Sequence, residues 1–212
     1  MTPSKTLLIG FLLLFVGCDT EAQRRNRNSE RVGGPCEGCE AIYEGMPKNL
    51  TWQTVIADSA EPGELLEIAG TIFQKDGKTP AKEIILYVYH TNAKGYYEPS
   101  KEQTGGSRRH GHLRGWVKTD EKGRYAFRSI RPAPYPNGTD PAHIHCIIKE
   151  PDKNEYWIDD YFFEGDTLIT KRTKNRLEKR GGSGIIKLAK DKNGVWSGKR
   201  DLTLGLNVPN YK

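Results

Sequence analysis

The chain has no internal repeat and no low-complexity block, which sets aside solenoid, collagen-like and disordered architectures. Long apolar runs are missing as well. The only one, Leu7 to Val16, is too short to cross a bilayer as a stable helix. Helical periodicity is almost absent, and a single polar and basic stretch, Ile169 to Arg180 before Gly181-Gly182, reads as a helix. No dense basic patch appears. Lys and Arg are scattered among Asp and Glu, except in Arg24–Arg31 and Lys171–Arg180, so a solvated surface is expected and a nucleic-acid partner is not. Cysteines number four. Only Cys36 and Cys39 are close in sequence, and one pair falls short of the four ligands of a structural zinc site. The apolar share of 35% and charged share of 28% describe a soluble globular chain rather than a membrane bundle. Its 212 residues leave room for one domain with a real core once a leader is removed.

The amino terminus is expected to supply that leader. Lys5 precedes the apolar run, as in a secretory signal peptide. The run ends in Phe15-Val16-Gly17-Cys18, which resembles a bacterial lipobox with Phe15 where leucine is usual. Residues 1–18 are therefore expected to direct export, and Cys18 to be lipidated and anchor the chain to the cell envelope. The alternative is simple secretion, in which Cys18 leaves with the leader. Residues 19–34 are polar and expected to form a tether. In the Gly/Pro-rich coil of residues 35–64, Cys36 and Cys39 are expected to form a short-loop disulfide, as suits an exported protein. A redox pair would sit at a helix start after a strand instead.

From residue 65 to 206, short apolar runs alternate with turn signals. This is the pattern of a mostly β chain, a single sandwich of two packed sheets with one short helix. Leu65–Phe73 ends at Asp76-Gly77, and Ile84–Tyr89 is dense in β-branched and aromatic residues. Trp116–Thr119 and Arg124–Phe127 flank Asp120–Gly123, which predicts a hairpin. His143–Lys149 and Tyr156–Phe163 follow. Ile185–Leu188 and Val195–Leu204 bracket Asn193-Gly194, a second hairpin signal.

His143-Ile144-His145 is the sharpest local feature. Residues two apart in a strand share a face, so both imidazoles reach one point while Ile144 and Cys146 turn to the core. Such a pair alone is more often structural than metal-binding, and His110 and His112 form another in a loop-like stretch. Around it run Arg131-Pro132-Ala133-Pro134-Tyr135-Pro136, Pro141-Ala142-His143-Ile144-His145 and Tyr161-Phe162-Phe163-Glu164-Gly165-Asp166. Upstream lie Gly70-Thr71-Ile72 and Tyr89-His90-Thr91-Asn92-Ala93-Lys94-Gly95-Tyr96-Tyr97. In this order the segments resemble the intradiol ring-cleavage dioxygenases, the catechol and protocatechuate enzymes, over roughly Gly70 to Asp166.

That resemblance implies a non-haem Fe(III) ion held by Tyr97, Tyr135, His143 and His145. It implies an oxidoreductase that uses O2 to open a catechol-type aromatic diol between its two hydroxyl-bearing carbons, giving a muconate-type diacid. Tyr97 would be the ligand that leaves and takes a substrate proton. Hard phenolate oxygens favour a highly charged ion. The remaining tyrosines, among them Tyr87, Tyr89, Tyr125 and Tyr161, read as strand and core residues.

Two positions depart from the family pattern. Asp140 stands where an arginine usually precedes Pro-Ala-His-Ile-His, and Asp160 where a glutamine is usual. An anion in place of a cation opposes negative charge gathering on a bound diol. Two further readings therefore stand beside the enzyme: an iron-binding pseudoenzyme, and a non-catalytic prealbumin-like sandwich module. The segments Gly70–Ile72 and Thr119–Phe127 also resemble the latter.

Overall fold

The computed structural model describes residues 31–212. The expected leader, Cys18 and most of the tether lie outside them. Among the described residues, no helix is long and apolar enough to cross a membrane.

Among the described residues, eleven strands form two sheets: β1 (Gln53–Val55), β2 (Leu65–Phe73), β3 (Ile85–His90), β4 (Arg114–Lys118), β5 (Arg124–Ile130), β6 (His143–Lys149), β7 (Tyr156–Phe163), β8 (Ile185–Ile186), β9 (Leu188–Lys190), β10 (Trp196–Lys199) and β11 (Leu202–Thr203). One sheet runs β1-β5-β2-β10-β9, with β11 also pairing with β2. The other runs β4-β3-β6-β7-β8. Alternation builds the sandwich. Leu66, Ile68 and Ile72 of β2 face Leu86 and Val88 of β3 and Ile144, Cys146 and Ile148 of β6 within one core cluster.

Asp120–Gly123 makes a tight turn, with Gly123 N–H donating to the Asp120 carbonyl at 2.9 Å. The flanking strands do not pair as the expected hairpin, because β4 belongs to the five-stranded sheet and β5 to the six-stranded one. The turn is a corner between layers. The second hairpin does form, with Trp196 opposite Lys190. The helix is shorter than expected: α1 spans Lys171–Arg176 and Leu177 is extended. Here the Asp159 carboxylate accepts from the Lys179 and Arg180 amides at 2.9 and 3.1 Å, drawing the chain out of the helix.

The segment before β2 is also more ordered than its composition suggests. Val32 and Asn154 exchange bonds of 3.1 and 3.0 Å, and Arg180 donates to the Gly33 carbonyl at 2.9 Å, so the last tether residues are pinned to the domain. A short 3-10 helix, Cys39–Tyr43, follows. Its Ile42 packs with Tyr87, Trp116 and Ile147 against the outer face of the five-stranded sheet. At the other end, Val208 joins the core, extending the domain past residue 206. Gly70 is required by packing. A Cβ there would lie 1.9 Å from the Arg200 carbonyl, which accepts from the buried Tyr125 hydroxyl.

Candidate metal centre

Strand β6 delivers His143 and His145 to one face. His145 lies directly opposite Tyr89 of β3, and their rings stack at 4.6 Å. On the other side the β6–β7 ladder contains a bulge: Ile144 pairs with Tyr161 and Cys146 with Ile158. Asp159 and Asp160 together therefore oppose His145 alone. A bulge re-aims side chains. Asp159 points toward the end of α1, while Asp160 Oδ1 lies 3.1 Å from His145 Nδ1.

The tyrosines arrive on two loops that are bonded to each other. Thr91 Oγ1 donates to the Ala133 carbonyl at 2.7 Å, and Asn92 Oδ1 accepts from the Lys94 and Tyr96 amides. Gly95 sits at φ +85°, and a Cβ on it would lie 2.2 Å from the Pro134 carbonyl. Only glycine permits both that conformation and that approach. The result places the Tyr97 and Tyr135 hydroxyls 3.1 Å apart, while Tyr96, the other tyrosine of the pair, is exposed.

A continuous line of polar atoms follows. Tyr135 Oη lies 3.2 Å from His143 Nε2, which lies 3.2 Å from His145 Nε2. The His143 Nδ1 must donate to the Pro141 carbonyl at 2.7 Å, since a carbonyl only accepts. His145 Nδ1 faces the Asp160 carboxylate, another acceptor. Partner chemistry thus assigns a proton to each Nδ1 and turns both Nε2 atoms toward each other as the candidate ligand atoms. Burial, reinforced by His145, holds His143 below its ordinary pKa and so neutral. The donor set of two imidazoles and two phenols fits a hard, highly charged ion. Burial pushes the Tyr97 phenol far above its ordinary value, and burial also raises Tyr135. Neither ionises at neutral pH without a cation to replace its proton.

The four residues singled out in the sequence are thus brought together, and two that read from sequence only as a departure from the family pattern, Asp160, and as a strand residue, Tyr89, join them. Asp160 touches His145. Tyr89 is sandwiched between His145 and His110, whose ring lies 3.7 Å away and parallel within 2°. The cross-strand register of β3 and β6 is what places Tyr89 there. The other His-x-His pair stays out of the cluster: His110 Nδ1 bonds the Tyr87 hydroxyl at 2.9 Å, and burial lowers its pKa to about 4. His112 pairs with Glu61 at 2.8 Å. Arg131 lies elsewhere, over the Trp196 ring and 3.7 Å from Glu64. Cys36 and Cys39 are joined by a disulfide. A cleft of about 860 Å³ opens onto Tyr135, His143 and Asp160, with Asp140, Arg172 and Arg176 also on its walls. Cys146 is buried behind it.

Two packed sheets with phenols and imidazoles gathered at a cleft describe a β-sandwich protein with a candidate metal centre. The dioxygenase family, Dioxygenase_C, matches residues 43–177, and the chain belongs to the intradiol ring-cleavage dioxygenases. It is 30% identical over 184 residues to catechol 1,2-dioxygenase 1 of Acinetobacter lwoffii, covering 69% of this chain and 58% of that protein. It is 30% identical over 118 residues to the protocatechuate 3,4-dioxygenase beta chain of Burkholderia cepacia, covering 52% and 50%. The chain spans about half the length of the curated relatives it matches. Among solved structures, catechol 1,2-dioxygenase from Acinetobacter sp. ADP1 superposes with a TM-score of 0.59 at 23% identity, covering 80% of this chain and 62% of that one. The family uses non-haem iron.

Proposed function

We propose that the protein is a non-haem Fe(III) dioxygenase that uses O2 to open the ring of a catechol-type aromatic diol between its two hydroxyl-bearing carbons. Tyr97, Tyr135, His143 and His145 would hold the iron. The observation that carries this reading is the convergence of two imidazole Nε2 atoms, 3.2 Å apart, with two phenol oxygens in one line. Bound ferric iron would act as a Lewis acid that withdraws electron density from the diol and makes the ring reactive toward dioxygen.

The chain's own residues do the rest. Tyr97 lies at the end of the line, its hydroxyl 3.1 Å from that of Tyr135, and would be the group that gives way to the diol and takes one of its protons. Its burial favours that step, because the protonated phenol is the form burial stabilises. Pro141 and Asp160 keep the two imidazoles in the tautomer that ligation needs. Arg172 and Arg176 bring cationic charge to a cleft wall that also holds Asp140. Export belongs to the same reading. A disulfide persists in oxidising compartments, and Cys18 would supply a lipid anchor to the cell envelope.

One observation favours a second reading, iron binding without turnover: two carboxylates, Asp140 and Asp160, face a cleft where negative charge must gather. The leader-less protein, loaded with ferric iron and given catechol in air, separates the two. A visible tyrosinate-to-iron band that shifts with catechol and recovers as a diacid accumulates supports the enzyme. A band that shifts without recovering supports iron binding alone. No band, with His145→Ala and Tyr135→Phe retaining as much iron as the parent, removes the metal centre and leaves a bare sandwich module.

A further inference from the structure

The two imidazoles of the cluster are alike in their outward nitrogen and unlike behind it. His143 donates from Nδ1 to a neutral backbone carbonyl, that of Pro141, at 2.7 Å. His145 donates from Nδ1 to the carboxylate of Asp160 at 3.1 Å. Among the described residues, no lysine or arginine forms an ion pair with Asp160, and of the two imidazoles only that of His145 is hydrogen-bonded to it. Asp160 owes its position to the β6–β7 bulge, where two residues of β7 oppose one of β6. In an unbroken ladder only one of Asp159 and Asp160 would lie beside His145. The ring of His145 is held on its other side by Tyr89, which is itself backed by His110. The imidazole is thus fixed in plane by stacking and in rotation by the carboxylate.

Resting on the iron reading above, we propose that Asp160 is a positioning residue. It locks His145 as the Nδ1–H tautomer and makes its Nε2 the stronger of the two imidazole donors to the metal. A hydrogen bond to an ionised acceptor is roughly twice as strong as one to a neutral acceptor. It draws the Nδ1 proton outward and leaves more electron density on Nε2, which is how outer partners raise the basicity of ligating histidines. A more basic ligand stabilises Fe(III) over Fe(II). It also raises the acceptor level for charge transfer from tyrosinate, moving the visible band to shorter wavelength. His143, bonded to a carbonyl, lacks this reinforcement. The carboxylate at 160 therefore tunes the metal through its hydrogen bond to one ligand, and the asymmetry is built into the backbone by the bulge.

The test compares the leader-less protein with Asp160→Asn and Asp160→Ala, all loaded with ferric iron. Band position, the Fe(III)/Fe(II) midpoint potential and iron retention against a chelator are measured on each. Asp160→Asn keeps the size and an accepting oxygen but removes the charge, so it isolates electrostatics from folding. Retention is expected to fall about 10- to 100-fold in Asp160→Ala. In both variants the band moves to longer wavelength and the potential rises, by about 59 mV for each tenfold loss of ferric over ferrous preference. Asp160→Asn lies between the parent and Asp160→Ala. If the parent shows the band and the folded variants match it in band and potential, Asp160 has no such role while the iron reading stands. A fall in potential or a shift to shorter wavelength overturns the proposal equally. If the parent itself takes up no iron, both readings fall together, and Tyr135→Phe identifies that case by leaving the metal content unchanged.

Discussion

The two sheets of the sandwich bury apolar surface in different ways. In the six-stranded sheet, one face packs inward and the other meets solvent, so β2 alternates between exposed or half-exposed positions and fully buried ones. The five-stranded sheet is covered on both faces. Inside lies the common core. Outside, Cys39, Ile42, Tyr87, Trp116 and Ile147 form a second cluster, and the metal-centre residues occupy the rest. Its strands consequently read as continuous apolar and aromatic runs such as Ile85–His90. A sheet with one wet face displays its periodicity. A sheet covered twice hides it but gains a sheltered surface on which polar side chains can be held in a fixed array.

The largest effect should come from treating the outer cluster as a true core. Ile147 and Ile148 are neighbours on β6 that face opposite ways, 3% and 1% exposed. Replacing either by alanine is expected to cost about 2–5 kcal/mol in urea unfolding, because each leaves a cavity in packed surroundings. A loss at Ile147 below about 1 kcal/mol would mean that the 3-10 segment covers the sheet only loosely, and the two sheets would then be alike.

The joint between the sheets carries a pH dependence of similar size. His90 of β3 is fully buried, with Nε2 2.7 Å from Ser129 Oγ on β5 and Nδ1 2.8 Å from the Thr91 carbonyl. Burial lowers its pKa to about 4 from an ordinary 6.5. Between those values the unfolded chain takes up a proton that the folded chain refuses, so stability rises with pH across the window and is fully present above it. The loss on acidification is expected to reach roughly 3 kcal/mol for this one group. Urea midpoints of metal-free protein from pH 7.5 to 4.5 check it: a His90→Gln variant should show a shallower slope than the parent. Equal slopes would place the acid sensitivity elsewhere, for example at His110.

These two regions also differ in how far the sequence discloses them. Leu65–Phe73 is readable to the residue because its face alternates with water. The Asp120–Gly123 turn is readable as a turn, since Asp120 Oδ1 accepts from the Lys122 and Arg124 amides nearby. Which strands it joins is decided by long-range packing, and there local chemistry misleads. Tyr97 and Tyr135 stand out from the other tyrosines only through the motifs around them. Their meeting depends on Gly95 against Pro134, a contact between loops remote in sequence. The bulge that brings Asp160 onto His145 has no residue signature, so Asp160 reads from sequence only as a departure from the family pattern.

The disulfide at the edge of the outer cluster should matter less than the cluster. Cys36 and Cys39 close a very short loop, so the bond restricts the unfolded chain little. Removing it in the double variant Cys36→Ser and Cys39→Ser is expected to cost about 2 kcal/mol. Unfolding of the parent with and without reductant gives the same comparison. A much larger loss would mean that Gly38, whose Cβ position lies 3.1 Å from His110 Nε2, transmits the bond to the Tyr89 stack, and the visible band of iron-loaded protein would move with it.

The smallest effect belongs to the wet face. Glu67 of β2 stands directly opposite Arg128 of β5, and Arg128 Nε donates to its carboxylate at 2.8 Å. The pair looks well made, yet both side chains are about half exposed. Water already solvates such charges, and holding two long side chains in one arrangement costs entropy. Glu67→Ala is therefore expected to change stability by no more than about 1 kcal/mol, and by less when salt is raised. The contrast with Ile147 is the point of the measurement. Both residues lie on the outer face of a sheet, and only the covering differs. If Glu67→Ala cost as much as Ile147→Ala, the face around it would have to be covered as well. The groove beside it, lined by Thr54, Val55 and Ser197, would then be occupied surface rather than open solvent.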